Sequence, residues 1–220
     1  DFYFQVRAFL EIYEELDDSY EIYVQHDREG RFALKLYCIH TADKIGQCLE
    51  KGRASILFSA TLLPVQYYME LLSGKSEDYA VYARSTFDPS RKKVLLGLDV
   101  STKYTRRTPA EYQKIASYIR QITDSRQGNY LVFFPSYKMM TDVRGFFEAE
   151  MQDDTEILEQ SMHMSEAQRE EFLEQFQERE SGTLIGFCVM GGIFGEGIDL
   201  KKDRLIGAIV VGPGLPQVCN

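Results

Sequence analysis

Residues 108–147 read TPAEYQKIASYIRQITDSRQGNYLVFFPSYKMMTDVRGFF, and this stretch decides the fold. Thr108 followed three residues later by Glu111 is a capping box, and Pro109 occupies the first helical position, where its missing N–H costs nothing. Tyr112, Ile115, Ala116, Ile119 and Ile122 recur at helical spacing behind that start. Gly128 ends the helix. Tyr130 to Phe134 is then a run of apolar residues with no polar alternation, the pattern of a strand buried on both faces. Pro135 and Ser136 open a second helix, with Met140, Val143, Phe146 and Phe147 facing inward.

The same pattern continues on both sides. Downstream, residues 155–159 read as a short strand, and Ser165-Glu166-Ala167-Gln168 is a second capping box whose helix is expected to reach about Glu180. Residues 183–190 and 205–212 read as strongly apolar strands. Upstream, a helix is expected over 2–16, then two strands over 20–25 and 32–39 joined by the turn-like Asp27-Arg28-Glu29-Gly30. A short helix over 42–51 is stopped by Gly52, and Ala54 to Phe58 reads as a buried strand. Pro64 precedes a helix carrying Tyr67, Tyr68, Leu71 and Leu72 that stops at Gly74, and strands are expected over 79–83 and 93–98. Strands alternating with helices, without polar alternation in the strands, predict an α/β domain whose mostly parallel sheet is covered by helices on both faces. In that class ligands lie beyond the carboxyl ends of the strands, which directs attention to the loops after residues 58, 134 and 190.

Composition narrows the function classes. A chain of 220 residues suffices for one well-buried domain with a short appendage, and no run approaches 18 apolar residues, so no transmembrane helix and no membrane partner are expected. The net charge of −9 argues against a protein that simply coats nucleic acid. The charge is uneven, however: residues 84–144 carry net +7 between flanks of −6 and −10. That middle third is either a set of solvated helix faces or a phosphate-binding stripe, with Arg106, Arg107 and Lys138 as candidate contacts. Cys38, Cys48, Cys188 and Cys219 form no C-x-x-C pair, and three His are scattered, so neither a zinc nor an iron–sulfur site is expected in this chain. The thiols, without a secretory signal, point to a cytoplasmic setting. The chain opens on Asp1-Phe2-Tyr3-Phe4 and closes on Cys219-Asn220, which reads as a piece of a longer polypeptide.

Three loops hold the candidate chemistry. Ser59 and Thr61, in Phe58-Ser59-Ala60-Thr61-Leu62-Leu63-Pro64, either cap the following helix or bind a phosphate at its amino end. Ser136, Tyr137 and Lys138 combine a hydroxyl cap, an aromatic and a cation at a helix start, suited to one phosphate and a stacked sugar or base. Gly191-Gly192-Ile193-Phe194-Gly195-Glu196-Gly197-Ile198-Asp199-Leu200 is rich enough in glycine to let a ligand approach the backbone closely. It matches neither the dinucleotide fingerprint nor a Walker A loop. Asp199 is suited to accept a ribose hydroxyl, and Glu196 to orient the loop.

Taken in order, F-S-A-T-L-L-P, L-V-F-F-P-S-Y, G-G-I-F-G-E-G-I-D-L and I-V-V-G-P-G-L-P resemble the second motor domain of superfamily 2 helicases, most closely the XPD/DinG type of DNA helicase. The resemblance spans roughly residues 34–220, with F-x-E-G-I-D-L at 194–200 and V-G-x-G-L-P at 211–216 as its most specific pieces. It implies a RecA-like three-layer domain over residues 31–220, truncated before the family's arginine motif, with residues 1–30 as the end of a preceding arch-like region. It implies that Ser59 and Thr61 lie in motif III, Ser136 and Tyr137 in motif IV along single-stranded DNA, and Glu196, Gly197 and Asp199 in motif V beside the nucleotide. Family members often carry Ser or Thr where this chain has Gly195, which leaves only the Gly195 backbone N–H for a DNA phosphate.

The resemblance also implies what lies elsewhere. ATP and Mg²⁺ would be used by the parent protein, through a phosphate loop and metal site in the preceding motor domain, which is the expected intramolecular partner alongside single-stranded DNA. Any iron–sulfur cluster would belong to that domain too. The isolated chain is therefore expected not to hydrolyse ATP. The competing reading is a non-enzymatic α/β module that docks protein or nucleic-acid partners, with the acidic helix around Ser165–Glu180 as a protein-docking surface; between Glu148 and Glu180 the chain carries twelve acidic and two basic residues.

Overall fold

The computed structural model describes residues 2–26, 29–72, 75 and 77–214. The Asp27-Arg28 half of the expected turn, the Gly74 stop, Leu215-Pro216 and Cys219 lie outside the described residues. The chain divides into two compact units, residues 1–91 and 92–220.

The first unit begins with helix α1, Phe2–Glu14. Strands β1 (Tyr20–His26) and β2 (Phe32–Cys38) form an antiparallel hairpin in which Tyr20 pairs with Cys38 and His26 with Phe32. Helices α2 (Ala42–Leu49) and α3 (Val65–Leu72) follow, joined by a hydrogen bond from Thr41 Oγ1 to the Leu71 carbonyl at 3.3 Å. None of the described residues of this unit is buried. Ile56 and Phe58 are 86 % and 88 % exposed, and the expected strands over 54–58 and 79–83 are irregular backbone instead. A strand needs a neighbour to take up its N–H and C=O groups, and β-propensity mostly reports fit to a half-buried pleated surface. These segments are apolar enough for a sheet but meet none among the described residues.

The second unit is built on the stretch that opened the sequence reading. Helix α4 spans Pro109–Ser125, β3 Gly128–Phe134, α5 Tyr137–Glu148, β4 Thr155–Glu159, α6 Glu166–Glu174, β5 Thr183–Val189 and β6 Gly207–Val210. The four strands are ordered β4-β5-β3-β6 and all run parallel. Residues 93–98, expected as a further strand, are irregular backbone that joins no sheet among the described residues, with Leu96 and Leu98 exposed for the same reason as the runs above.

Side chains alternate across β3 and β5 into two cores. On one face, Tyr130, Val132, Phe134, Ile185 and Phe187 pack under Ile115 and Ile119 of α4 and Met139, Met140, Val143 and Phe147 of α5. Phe134 and Phe187 stack with centroids 5.5 Å apart. On the other face, Leu131, Leu184 and Cys188 pack under Phe172 of α6, under Phe176 just beyond its end, and under Phe194. This is the three-layer α/β arrangement the alternation predicted. Gly186 sits where α6 crosses β5; a Cβ there would meet Leu131 Cδ2 at 2.7 Å and the Phe176 ring at 2.8 Å.

The caps explain the helix starts. Ser165 and Gln168 form the full reciprocal box, which fixes the first turn of α6. Thr108 accepts the Glu111 N–H at 3.3 Å, but the Glu111 carboxylate does not reach back. It accepts instead from the Ser101 N–H and from Arg106 Nη2 at 3.1 Å, so the box is half made and its acid ties down the preceding loop. Helix α6 ends at Glu174 rather than near Glu180; Arg204 donates to the Leu173 carbonyl of its last turn at 3.4 Å and to the Phe176 carbonyl just beyond it at 2.7 Å. At the amino end of the sheet, the fully buried Asn129 Nδ2 donates to the Gln177 carbonyl at 2.6 Å and the Arg204 carbonyl at 3.0 Å.

Candidate nucleic-acid and nucleotide interface

Because all four strands run parallel, the loops after β3, β4 and β5 emerge at one end of the sheet. Two of them are the loops read from sequence around Ser136 and Gly195. The third, Gln160 to Ser165, carries no motif in the sequence, yet its Gln160 and Ser161 bond Tyr137 of one loop and the strand end that leads into the other.

The loop after β3 is a capped helix start. Ser136 Oγ accepts the Met139 N–H at 3.3 Å, so the hydroxyl is committed to α5. Tyr137 is half-buried; its hydroxyl donates to the Ser161 carbonyl at 3.2 Å. Lys138 is exposed and pairs with Asp142 one turn on at 2.8 Å, and this hydrogen bond holds its ammonium pKa above the ordinary value. Arg106 and Arg107, the other candidate cations, are engaged by Glu111 and by the Thr102 carbonyl.

The glycine-rich loop after β5 is anchored at three points. Phe194 is 1 % exposed and packs on Phe172 with centroids 4.3 Å apart. Arg169 of α6 donates from Nε to the Ile193 carbonyl and from Nη2 to the Gly197 carbonyl, each at 3.1 Å. Gly197 has φ +69°, a left-handed conformation that a side chain would strain. The Gly195 N–H, read from sequence as available to a phosphate, donates to the Gly192 carbonyl at 3.0 Å, so the tight turn itself consumes that donor. Glu196 and Asp199 are exposed, and Asp199 pairs with Lys201 at 3.3 Å.

Gln160 joins the Ser136 loop to the last residue of β5, where the glycine-rich loop begins. It is 3 % exposed, its Oε1 accepts the Val189 N–H at 3.0 Å and its Nε2 donates to the Tyr137 hydroxyl at 3.0 Å. Gly192 lies so close that a Cβ there would stand 2.7 Å from Gln160 Nε2 and 2.9 Å from the Val189 carbonyl. Neither Gln160 nor Arg169 has a sequence signal beyond being polar next to an apolar run. Their roles depend on what the fold brings opposite them.

In the first unit, Ser59 and Thr61 are both exposed. Ser59 Oγ accepts the Thr61 N–H at 3.2 Å and lies 3.1 Å from Thr61 Oγ1, a local turn that pairs the two hydroxyls. Among the described residues no group of three or more His, Cys, Asp or Glu is placed to hold a metal ion, and no helix is long and apolar enough to cross a membrane.

Comparison with known proteins agrees with this geometry. Residues 119–220 match the family of the helicase C-terminal domain. The chain is 23 % identical over 218 residues to the ATP-dependent DNA helicase CHL1 of Scheffersomyces stipitis, covering 88 % of this chain and 26 % of that protein. It is 28 % identical over 174 residues to the ATP-dependent DNA helicase XPD of Sulfolobus acidocaldarius, covering 76 % of this chain and 29 % of that protein. The chain thus spans little more than a quarter of the length of these relatives. Two solved structures, named XPD_APO and XPD_Helicase, share the fold with a TM-score of 0.55 each, at 19 % and 20 % identity; 96 % of this chain is covered, against 41 % and 35 % of theirs. With the parallel sheet, its loop end and these matches together, residues 119–220 match the helicase C-terminal domain, and the chain is similar to the C-terminal domain of XPD-type superfamily 2 helicases.

Proposed function

We propose that this chain belongs to the second motor lobe of an ATP-dependent DNA helicase that moves along single-stranded DNA. The observation that carries the reading is that Gln160 bonds both Tyr137 and the last residue of β5, with Gly192 of the glycine-rich loop packed closely against it. A lobe that converts nucleotide state into movement on a strand needs its DNA-facing and nucleotide-facing loops to shift as one piece, and Gln160 and Arg169 supply that connection. Asp199 and Glu196, exposed on the glycine-rich loop, fit the ribose side of ATP. ATP supplies the free energy of the stroke; the phosphates and Mg²⁺ are assigned to the preceding lobe. In the second unit the residues position and transmit: Asp199 accepts a ribose hydroxyl, Arg169 holds the loop that bears it, and Ser136 and Tyr137 face the strand; in the first unit, Ser59 and Thr61 are assigned to nucleic-acid contact by themselves.

The partner lobe is supported by the first unit. None of its described residues is buried, while Ile56, Phe58 and Val81 are each more than four-fifths exposed. Apolar surface of that extent calls for burial against another domain. In this reading residues 1–30 end a preceding inserted region, residues 31–220 belong to the motor lobe, and the isolated chain does not hydrolyse ATP.

The test is ATP hydrolysis by the full-length protein with and without single-stranded DNA. Strong stimulation by the strand is expected. A folded full-length protein with a flat, DNA-independent rate would remove the motor reading and favour a docking module built on the same scaffold.

A further inference from the structure

A cavity of about 530 Å³ opens at the carboxyl end of the sheet, between the amino end of α5, the β4–α6 connection and the glycine-rich loop. Its lining includes Tyr137, Gln160, Met162, His163, Met164 and Gln168. Taking His163 as neutral, none of the lining side chains carries a formal charge, although both charged residue types are abundant elsewhere in the chain. A phosphate is held by cations and charge-assisted hydrogen bonds, and this lining offers no Lys or Arg for one.

What the lining does offer suits a neutral, flat heterocycle. His163 presents an imidazole face, and Met162 and Met164 present thioethers, which make favourable contacts with aromatic rings. Edge-recognition groups are available as well. Gln168 Oε1 is committed to the Ser165 N–H at 2.9 Å, which leaves its Nε2 to donate, and the Ser161 hydroxyl can donate or accept. The cavity wall is built: Gln160 is buried with both ends of its amide bonded, and it fixes Tyr137 beside the opening. The rim is accessible, with Met162 68 % exposed.

We infer that this cavity receives one base of the single strand, turned off the backbone that the Ser136 loop tracks, with Met162 and His163 stacking on it and Gln160 acting as a positioning residue. The inference rests on the single-strand reading above and adds to it a base-binding slot on the β4–α6 connection. The strand then moves past a pocket that holds each base in turn, so that a stroke is registered to one nucleotide rather than sliding on charge alone.

The test compares binding of an oligo(dT) strand and an abasic strand of equal length by the full-length protein, at one fixed salt concentration. Removing a stacking contact is expected to cost about tenfold in affinity. The double variant Met162→Ala, His163→Ala should therefore weaken oligo(dT) about tenfold and the abasic strand by less than about twofold. Both side chains are exposed, so the variant should melt with the wild type, and a melting curve checks this. Equal loss on both strands, or no loss on either, would overturn the base pocket while leaving single-strand binding in place. Wild-type protein that binds neither strand would overturn the single-strand reading itself, and the pocket with it.

Discussion

Arg169 on α6 reaches across to the glycine-rich loop and donates to the Gly197 carbonyl oxygen at 3.1 Å, while its Nε holds the Ile193 carbonyl at the same distance. One planar guanidinium thus spans the two sides of the turn that presents Glu196. A lysine has a single ammonium and cannot reproduce that fork.

Arg169→Ala is accordingly expected to raise the KM for ATP of the full-length protein about tenfold, with the melting temperature lowered only slightly. Arg169→Lys should recover little of this loss. A structural role alone would lower stability and leave KM unchanged, so parallel measurement of KM and thermal unfolding separates the two.

Asp199 is exposed and pairs with the equally exposed Lys201, so its loss should cost the fold little. Asp199→Ala should reduce ATP hydrolysis by the full-length protein more than about tenfold, with an unchanged melting curve. Fully retained hydrolysis would remove the ribose role assigned to this carboxylate.

The crossing of α6 over β5 makes a packing prediction. With Leu131, Phe172 and Phe176 all within 3.0 Å of where a Cβ would stand at Gly186, the methyl of Gly186→Ala must displace large buried side chains. The expected cost is about 1–3 kcal/mol, read as a shift of the urea unfolding midpoint. Gly145→Ala, with open space around its Cβ position on α5, is the control and should be neutral or slightly stabilising.

Burial pushes the Cys188 thiol from its ordinary 9.0 to about 12. The folded state therefore retains a proton that the unfolded chain gives up above pH 9, so this thiol's contribution to stability is complete below pH 9 and is lost as pH rises toward 12. Unfolding midpoints should be insensitive to Cys188 at pH 8 and fall between pH 9 and 11. At pH 8 Cys188 should resist an alkylating reagent until denaturant is added, whereas the exposed Cys48 should react in the folded protein.

The sheet of the second unit was legible because its information is local. The uninterrupted Tyr130–Phe134 run, the Thr108 and Ser165 caps and the apolar stripes between them each declare an element, and their alternation declares the topology. The runs at 54–58, 79–83 and 93–98 misled because a strand is a property of a pair, and apolar residues cannot say whether a partner is at hand. At the candidate site, glycine content pointed to the 191–199 loop, but the use of the Gly195 N–H within its own turn and the ties made by Gln160 and Arg169 exist only between segments distant in sequence. The half-made box at Glu111 has the same origin: its carboxylate could bond to its own helix start, and a loop ten residues upstream competed for it successfully.

The two ends of the sheet are fastened by different means. At the amino end, Asn129 is fully buried and bonded to two carbonyls, so opening it would strand polar groups away from water. At the carboxyl end, the buried Phe194 and Gln160 hold the roots of the loops, while the outer fasteners are a partly exposed arginine, a tyrosine hydroxyl and a glycine turn. Thermal fluctuation in the second unit is therefore expected to be graded along the strands, smallest at the base and largest in the outer loops. Amide exchange should follow that gradient, slow around Asn129 and fast from Gly191 to Leu200. A binding event at the rim can reshape the loops without disturbing the core beneath them.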